Sequence, residues 1–351
     1  MHLSSPDCAR PADHAACREA IRQGSRSFHA ASMILPDAVR EPAYGLYAFC
    51  RLSDDAIDLG GGSLAALERL RERLARAYER RPLPHAADRA MADLVARFAI
   101  PRALPEALLE GLAWDAEDRR FEEFDDLLNY AARVAGTVGV MMTLIMGVRD
   151  PQTLARACDL GVAMQLTNIA RDVGEDARNG RLYLPLRWLR EAGVDPDAFL
   201  EAPAPGDALR AVIARLLREA DALYARARHG VGRLPPACRP AILAAALFYA
   251  EIGRAVERLP GDTLAMRARV SDLRKLALLA RAVATAPLLS AGPSAPPLRA
   301  VAFLIDAVAA APSPAPVAIA RPWHIVPQFQ RVLAMFERLE RAEFGDQMVE
   351  P

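Results

Sequence analysis

The stretch Gln165-Leu-Thr-Asn168-Ile-Ala-Arg-Asp172-Val-Gly-Glu-Asp176 decides which fold class the chain belongs to. In a helix, Asn168, Asp172 and Asp176 lie one turn apart on a single face. That face carries an amide and two carboxylates, with neither lysine nor arginine among them. Because like charges four residues apart destabilise a helix by roughly a few tenths of a kcal/mol each, the pattern points to a role other than helix stability.

A second acidic stripe lies far upstream, in Asp54-Asp-Ala-Ile-Asp58. Two such stripes inside apolar segments predict the two halves of a hard-cation site, and a Mg²⁺ cluster that grips a diphosphate is the first candidate. The simpler interpretation is that the aspartates are solvated or paired with the neighbouring Arg51 and Arg171. Aspartate favours the metal site, because it is a poorer helix former than the glutamate used on this chain's solvated helices.

The composition is that of an ordinary globular protein and excludes some classes of function. The 351 residues are 52% hydrophobic and 25% charged, with a formal net charge of zero. A nucleic-acid partner normally needs a basic surface, so none is expected. The five cysteines and six histidines show no zinc-ligand spacing. The first residues lack the pattern of a signal peptide, so we expect a cytoplasmic location.

Helical periodicity dominates the chain, and strand-like alternation is nearly absent. The pattern predicts an all-α domain of roughly ten helices over residues 1–285. The first of these is expected from Cys17 to Leu35, another from Phe124 to Val148, and a later one from Asp207 to Val231. The second includes an apolar run that is too short for a confident membrane span, which needs about 20 residues.

Residues 286–351 differ in composition from the rest of the chain. They begin as a linker rich in proline, alanine and serine around one short apolar helix. Residues 328–344 then place apolar side chains at helical spacing. This last helix is expected to pack on the main domain, and the alternative is that it lies on a membrane surface.

Several motifs, in this order along the chain, resemble the squalene/phytoene synthase family. Besides the two acidic stripes they are Ser25-Arg-Ser-Phe28, Tyr47-Ala-Phe-Cys-Arg51, Val134-Ala-Gly-Thr-Val-Gly139 and Arg181-Leu-Tyr183-Leu-Pro185. The similarity extends over residues 17–284, and the stretch around Asp172 is its most specific part. The resemblance implies an isoprenoid-synthase-type helical array around a central apolar cavity.

The resemblance also implies an activity, the Mg²⁺-dependent head-to-head condensation of two geranylgeranyl diphosphates through prephytoene diphosphate to phytoene. Matching positions assign metal binding, with Mn²⁺ as an alternative ion, to Asp54, Asp58, Asn168, Asp172 and Asp176. The residues expected to hold diphosphate or line the reacting centre are Ser25, Phe28, Tyr47, Arg51, Tyr130, Gln165, Arg171, Tyr249 and Arg269.

Other interpretations of the same motifs remain open. A sibling enzyme would join two C15 units to presqualene diphosphate, squalene or diapophytoene, and a non-catalytic relative would bind isoprenoids or act as a scaffold. NADPH is not expected, because no Gly-x-Gly-x-x-Gly follows a strand and opens a helix. An apolar product makes a peripheral location on the cytoplasmic membrane a physical expectation. The oligomeric state is not determined by the sequence.

Overall fold

The computed structural model describes residues 7–59, 64–259, 264 and 266–312, with the side chains of residues 58 and 59 excepted. Every regular element in these ranges is helical, which confirms the predicted all-α fold class. The α-helices are α1 Pro11–Gly24, α2 Arg26–Ser32, α3 Asp37–Leu59, α4 Leu64–Tyr78, α5 Ala86–Arg97, α6 Ala103–Ala116, α7 Phe124–Ala131, α8 Thr137–Ile145, α9 Pro151–Arg178, α10 Leu186–Glu191, α11 Pro196–Glu201, α12 Asp207–Val231, α13 Arg239–Glu257, α14 Asp272–Thr285 and α15 Ala302–Ala309. A π-helical stretch, Ala132–Gly136, joins α7 to α8, and short 3-10 turns span Ala286–Leu288 and Arg299–Val301.

Helix α9 lies at the centre of the fold and carries the second acidic stripe. Asp150 caps its N-terminus by accepting a hydrogen bond from the backbone N–H of Thr153 at 2.9 Å, and Pro151 occupies its first turn. Helices α8, α12, α13 and α15 all pack against it, so side chains on several of its sides are buried. Tertiary burial therefore stabilises α9 despite the unfavourable acidic face at its C-terminal end.

Two glycines let α9 approach its neighbours closely. A Cβ atom on Gly139 would lie less than 3.0 Å from the carbonyl oxygen of Ala157 on α9. A Cβ atom on Gly161 would lie equally close to the carbonyl group of Ala135 in the π-helical stretch. Because real Cβ atoms essentially never come this near to another heavy atom, both contacts require glycine. They bring the backbones of α8 and of the π-helical stretch directly onto α9.

The prediction of one helix from Cys17 to Leu35 was wrong. Ser25 has an extended backbone, with φ −151°, and separates α1 from α2. Its side-chain oxygen accepts a hydrogen bond from the backbone N–H of Phe28 at 3.2 Å and so caps α2. The apolar spacing continues across the break, which is why periodicity alone did not reveal it.

The predicted helix from Phe124 to Val148 is helical as far as Ile145 but changes its hydrogen-bond pattern at the π-helical stretch. Such stretches occur frequently at functional sites. By length and hydropathy, Phe124–Ile145 is the one candidate membrane span among the described residues. Because 61% of its most apolar window is buried inside the protein, it serves as a core helix.

Residues beyond α14 return to the body of the fold. Residues 289–298, called the strap below, have no regular structure and lead to α15. Val301 and Leu304 are fully buried where this segment packs against α6, α8 and α9. The amphipathic helix predicted for residues 328–344 lies outside the described residues.

Candidate active site

The two acidic stripes border one cavity. Asp54 on α3 and both Asp172 and Asp176 on α9 line a space of about 300 Å³. Asp58 follows Asp54 by one helical turn on α3, and its side chain is not among those described. Carboxylates from separate parts of the sequence therefore do converge, as the spacing of the stripes predicted.

Arginines accompany the carboxylates on both sides of the cavity. Arg51 lies 3.4 Å from Asp54 across one turn of α3. Asp172 pairs with the adjacent Arg171 and with Arg267, whose Nε lies 2.9 Å from the carboxylate. The structure thus contains the ion pairs with Arg51 and Arg171 that the simpler interpretation of the aspartates requires. They also place guanidinium groups where a diphosphate would need bidentate donors.

The carboxylate cavity is electrostatically suited to a cation. Burial, with the negative charges of Asp172 and Glu175, raises the pKa of Asp176 to about 7. The side-chain oxygen of Asn168 is buried without a hydrogen-bond partner. An oxygen-liganded cation would relieve both conditions. Within the described side chains, no three acidic, histidine or cysteine groups are close enough to form a complete metal site, so water or substrate oxygens would have to fill the shell.

A buried carboxylate that the sequence analysis did not select lies on the same cavity. Asp115 on α6 accepts hydrogen bonds from the hydroxyl groups of Tyr130, at 2.8 and 3.0 Å, and Tyr183, at 2.8 Å. Burial raises the pKa of Asp115 to about 6, although both tyrosine donors oppose this shift. The predicted site residue Tyr130 is therefore held in place by its hydroxyl group.

A larger cavity of about 1200 Å³, called the mouth below, adjoins the carboxylates. It brings together nearly all the predicted site residues, which come from six separate parts of the chain. Those lining it are Ser25, Phe28, Tyr47, Arg51, Asp54, Tyr130, Gln165, Asn168, Arg171, Asp172, Tyr249 and Arg269. Asp176 lies in the adjoining carboxylate cavity. The structure thus assembles the set that the motifs predicted, apart from the undescribed side chain of Asp58.

Aromatic side chains form one wall of the mouth. The rings of Phe28 and Tyr249 stack with centroids 5.1 Å apart, and Ser25 hydrogen-bonds Tyr249. Burial raises the pKa of Tyr249 to about 12, so its hydroxyl stays protonated at neutral pH. A Cβ atom on Gly24 would lie less than 3.0 Å from the hydroxyl of Tyr47. Glycine at this position therefore lets Tyr47 reach the mouth.

An apolar cavity of about 320 Å³ leads away from the mouth into the core. The two cavities share part of their walls, because both are lined by Phe28, Tyr47, Gln165 and Asn168. The deeper walls come from α2, α3, α8, α9, α12, α13 and the π-helical stretch. A polar, charged mouth next to an apolar cavity suits a molecule with an anionic head and a long hydrocarbon tail.

Sequence reasoning missed Asp115, Tyr183 and Arg267 as members of the site. Tyr183 lies in the noted motif Arg181-Leu-Tyr183-Leu-Pro185, and that was its available signal. Asp115 ends an apolar helical segment that begins near Leu108, so a lone carboxylate on that face was a second signal. Arg267 carried no distinguishing pattern, because its role depends on the fold bringing it to α9.

Comparison with known proteins places this fold and site in a family. The model of the squalene/phytoene synthase family matches residues 21–274. A phytoene synthase from Rhodobacter capsulatus is 51% identical over 306 residues, which cover 85% of this chain and 90% of that protein. A 15-cis-phytoene synthase from a Paracoccus species is 45% identical over 74% of this chain and 88% of its own length.

Solved structures agree with this placement. A dehydrosqualene synthase bound to a ligand is 31% identical, has a TM-score of 0.72, and is matched over 79% of this chain and 97% of its own. A squalene synthase from Alicyclobacillus acidocaldarius is 27% identical, with a TM-score of 0.63, over 70% of this chain and 94% of its own. Fold and site thus define an all-α protein of the isoprenoid-synthase type. The chain belongs to the squalene/phytoene synthase family.

Proposed function

We propose that this protein is a prenyltransferase that joins two geranylgeranyl diphosphates head to head, through prephytoene diphosphate, to phytoene. This reaction is the first committed step of carotenoid biosynthesis. The observation that carries the proposal is that a mouth lined by carboxylates and arginines adjoins an apolar cavity and shares wall residues with it. Relatives that are 51% identical over 85–86% of this chain are named phytoene synthase, which supports the same reaction.

The acidic stripes are proposed to hold Mg²⁺, with Mn²⁺ as an alternative. Asp54 and Asp58 supply one side and Asn168, Asp172 and Asp176 the other. The unpartnered amide oxygen of Asn168 and the raised pKa of Asp176 fit this set of oxygen donors. When bound, Mg²⁺ would neutralise charge on the diphosphate oxygens and stabilise the departing diphosphate.

The chain's own side chains have distinct tasks in this proposal. Arg51, Arg171 and Arg269 line the mouth and can donate bidentate hydrogen bonds to diphosphate oxygens. Gln165 and Tyr47 line both the mouth and the apolar cavity, so we assign them positions beside the carbon that would lose its diphosphate. The apolar walls exclude water and so protect the carbocation from capture. The final step is proposed to be proton loss without NADPH.

The activity test uses the purified protein, labelled geranylgeranyl diphosphate and Mg²⁺, with Mn²⁺ and a chelator in parallel. We expect a C40 hydrocarbon with either metal and none with the chelator. The Asp172→Ala variant is expected to lose about 10²-fold or more in activity, as is typical when charge stabilisation is removed. The Asp207→Ala variant, on the exposed start of α12, is the matched control. Absence of the C40 product with metal present refutes the proposed reaction.

A comparison of C15 and C20 diphosphates separates the proposal from its main alternative. A solved dehydrosqualene synthase is 31% identical to this chain, so a sibling enzyme that joins two C15 units is the main alternative. We expect kcat/KM to be at least about tenfold higher for the C20 substrate, since an extra methylene group in an apolar pocket is worth roughly 10–200-fold. A preference for the C15 substrate would reassign the chain to the sibling activity.

We further propose that the protein works at the surface of the cytoplasmic membrane, because phytoene is too apolar for water. Helix α14 supports this location, since its outer face and the following turn carry an exposed apolar stripe. The stripe comprises Leu273, Ala277, Ala280, Ala284 and Leu288, with the exposed Arg274 and Arg281 beside it. Leu273 is 71% exposed and Leu288 81%, near the Asp272 and Lys275 that border the mouth.

Sedimentation with lipid vesicles tests this location. The variant with both Leu273→Asp and Leu288→Asp is expected to bind anionic vesicles at least several-fold more weakly than the wild type. Leu64→Asp serves as the control, because Leu64 is 76% exposed on a different helix. Equal binding by the double variant and the control would exclude the α14 face as the docking surface.

A further inference from the structure

The apolar cavity runs along helix α9 from the mouth into the core. It follows α9 from Gln165, at the mouth, back to Arg156 and Thr153 near the start of that helix. Nine residues of helix separate Gln165 from Arg156, a distance of about 14 Å along the axis. A long hydrocarbon tail that entered from the mouth would extend toward this end of the cavity.

A charged side chain lies at this apolar end. Arg156 lines the cavity, yet the residue is only 3% exposed. Its Nε lies 2.9 Å from the carboxylate of Asp159, which is fully buried and pairs also with Arg226 at 3.1 Å. Arginine commonly packs its hydrocarbon stem along apolar surface while its head finds polar partners. The side chain of Arg156 thus forms part of the cavity wall, and its guanidinium group is held by Asp159.

The strap completes the enclosure of this guanidinium group. Arg156 and Arg226 both donate hydrogen bonds to the carbonyl oxygen of Pro296 in the strap, at 3.2 and 2.8 Å. Arg233 and Arg239 donate to the carbonyl oxygens of two further strap residues, at 3.3 Å each. The strap is irregular, so these arginines hold its backbone where secondary structure does not. It lies beyond residue 274, where the family match ends.

The stem of Arg156 has little freedom to move aside. A Cβ atom on Gly230 of α12 would lie less than 3.0 Å from the Cβ atom of Arg156, so the two backbones sit close together. Moving the guanidinium group into the cavity would leave Asp159 with one partner fewer and place a charge in an apolar space, which is costly. The Arg156 side chain is therefore held in place at this end of the cavity.

We propose that Arg156 is a specificity-determining residue that limits the length of the isoprenoid tail. Asp159 and the carbonyl group of Pro296 act as its positioning partners. The inference rests on the proposed function, because it concerns the tail of that reaction's substrate. The upper length limit is thereby assigned to a buried ion pair whose arginine also donates to a strap carbonyl group outside the family match.

Removal of the Arg156 head should extend the cavity and admit longer tails. The test compares Arg156→Met with Arg226→Met in the full chain, using C15, C20 and C25 diphosphates. Both variants lose an ion pair with Asp159 and a hydrogen bond to Pro296, but Arg226 does not line the cavity. We expect Arg156→Met to raise the C25 to C20 ratio of kcat/KM by about tenfold or more. Arg226→Met should leave this ratio unchanged.

A binding measurement makes the test independent of turnover. Calorimetric titration with non-ionisable thiodiphosphate analogues of the same three lengths should show the same shift in relative Kd. If the wild type forms no C40 product, the proposed reaction fails, and this titration still decides the length limit. If Arg156→Met does not fold, Arg156→Lys keeps a cation opposite Asp159 and should show a smaller shift in the same direction.

Three results would overturn the assignment. The first is an unchanged ratio in a folded Arg156 variant. The second is an equal change in Arg156→Met and Arg226→Met, which would place the limit in the strap as a whole. The third is a shift toward C15 in place of C25.

Discussion

Replacement of Gly161 by alanine tests how closely the π-helical stretch lies on α9. The new Cβ atom would lie less than 3.0 Å from the carbonyl group of Ala135. Overpacking of this kind costs roughly 1–3 kcal/mol, while alanine is better than glycine inside a helix by about 1 kcal/mol. Because the obstructing atoms are backbone and cannot rotate away, we take the upper end of the cost. The expected net loss is about 2 kcal/mol in the free energy of unfolding.

Gly136 offers a matched control within the π-helical stretch. The nearest heavy atom to a Cβ there is the Cδ1 of Leu304 at 3.6 Å, an ordinary contact distance. Gly136→Ala should therefore gain only the higher helix propensity of alanine, which adds up to about 1 kcal/mol to the free energy of unfolding. Urea unfolding followed by far-UV circular dichroism measures both variants against the wild type.

The two variants should also differ in activity. Ala135 lines the apolar cavity, so a shift of the π-helical stretch alters the cavity wall. We expect Gly161→Ala to lower kcat/KM for the C20 substrate, although no polar residue has changed. Gly136→Ala should have the kcat/KM of the wild type. If Gly161→Ala is as stable and as active as Gly136→Ala, the close approach of the two backbones is refuted.

Further perturbations probe other parts of the fold. Asp13 accepts hydrogen bonds from Arg89, and this pairing lowers the pKa of the Asp13 carboxyl from 3.8 to about 2. The pair therefore adds about 2 kcal/mol to the free energy of unfolding above pH 4, and this contribution is lost as the pH falls toward 2. Asp13→Asn should thus be less stable than the wild type in urea unfolding at pH 7, and a gap that fails to narrow below pH 4 would contradict this. Tyr183→Phe removes one hydrogen-bond donor from Asp115. The loss in unfolding free energy should be about 2 kcal/mol at pH 8, where the Asp115 carboxyl is ionised, and nearer 1 kcal/mol at pH 5, where it is mostly protonated. A larger loss at pH 5 than at pH 8 would contradict this prediction. Leu304→Ala should cost about 2–5 kcal/mol in the same assay if α15 belongs to the main core, and a loss below about 1 kcal/mol would mean that α15 packs only loosely.

The helices that the sequence located well are those with strong local signals. Asp207–Val231 was predicted with the bounds that the structure shows, because a polar start and continuous apolar spacing define it. The break at Ser25 and the π-helical stretch were not predicted. The first depends on one side-chain cap, and the second lies where Gly161 lets α9 approach, a contact between residues far apart in sequence.

The candidate site divides in the same way. The sequence alone determined that Asp54 and Asp172 lie on acidic helix faces and that oxygen-rich chemistry belongs there, because spacing within one helix fixes which side chains share a face. Only the tertiary structure decided that these faces border one cavity, that Asp115 joins them, and that Arg156 lines the apolar cavity far from the mouth. Such distances depend on how separate helices pack, and packing is set by contacts between residues that no local spacing relates.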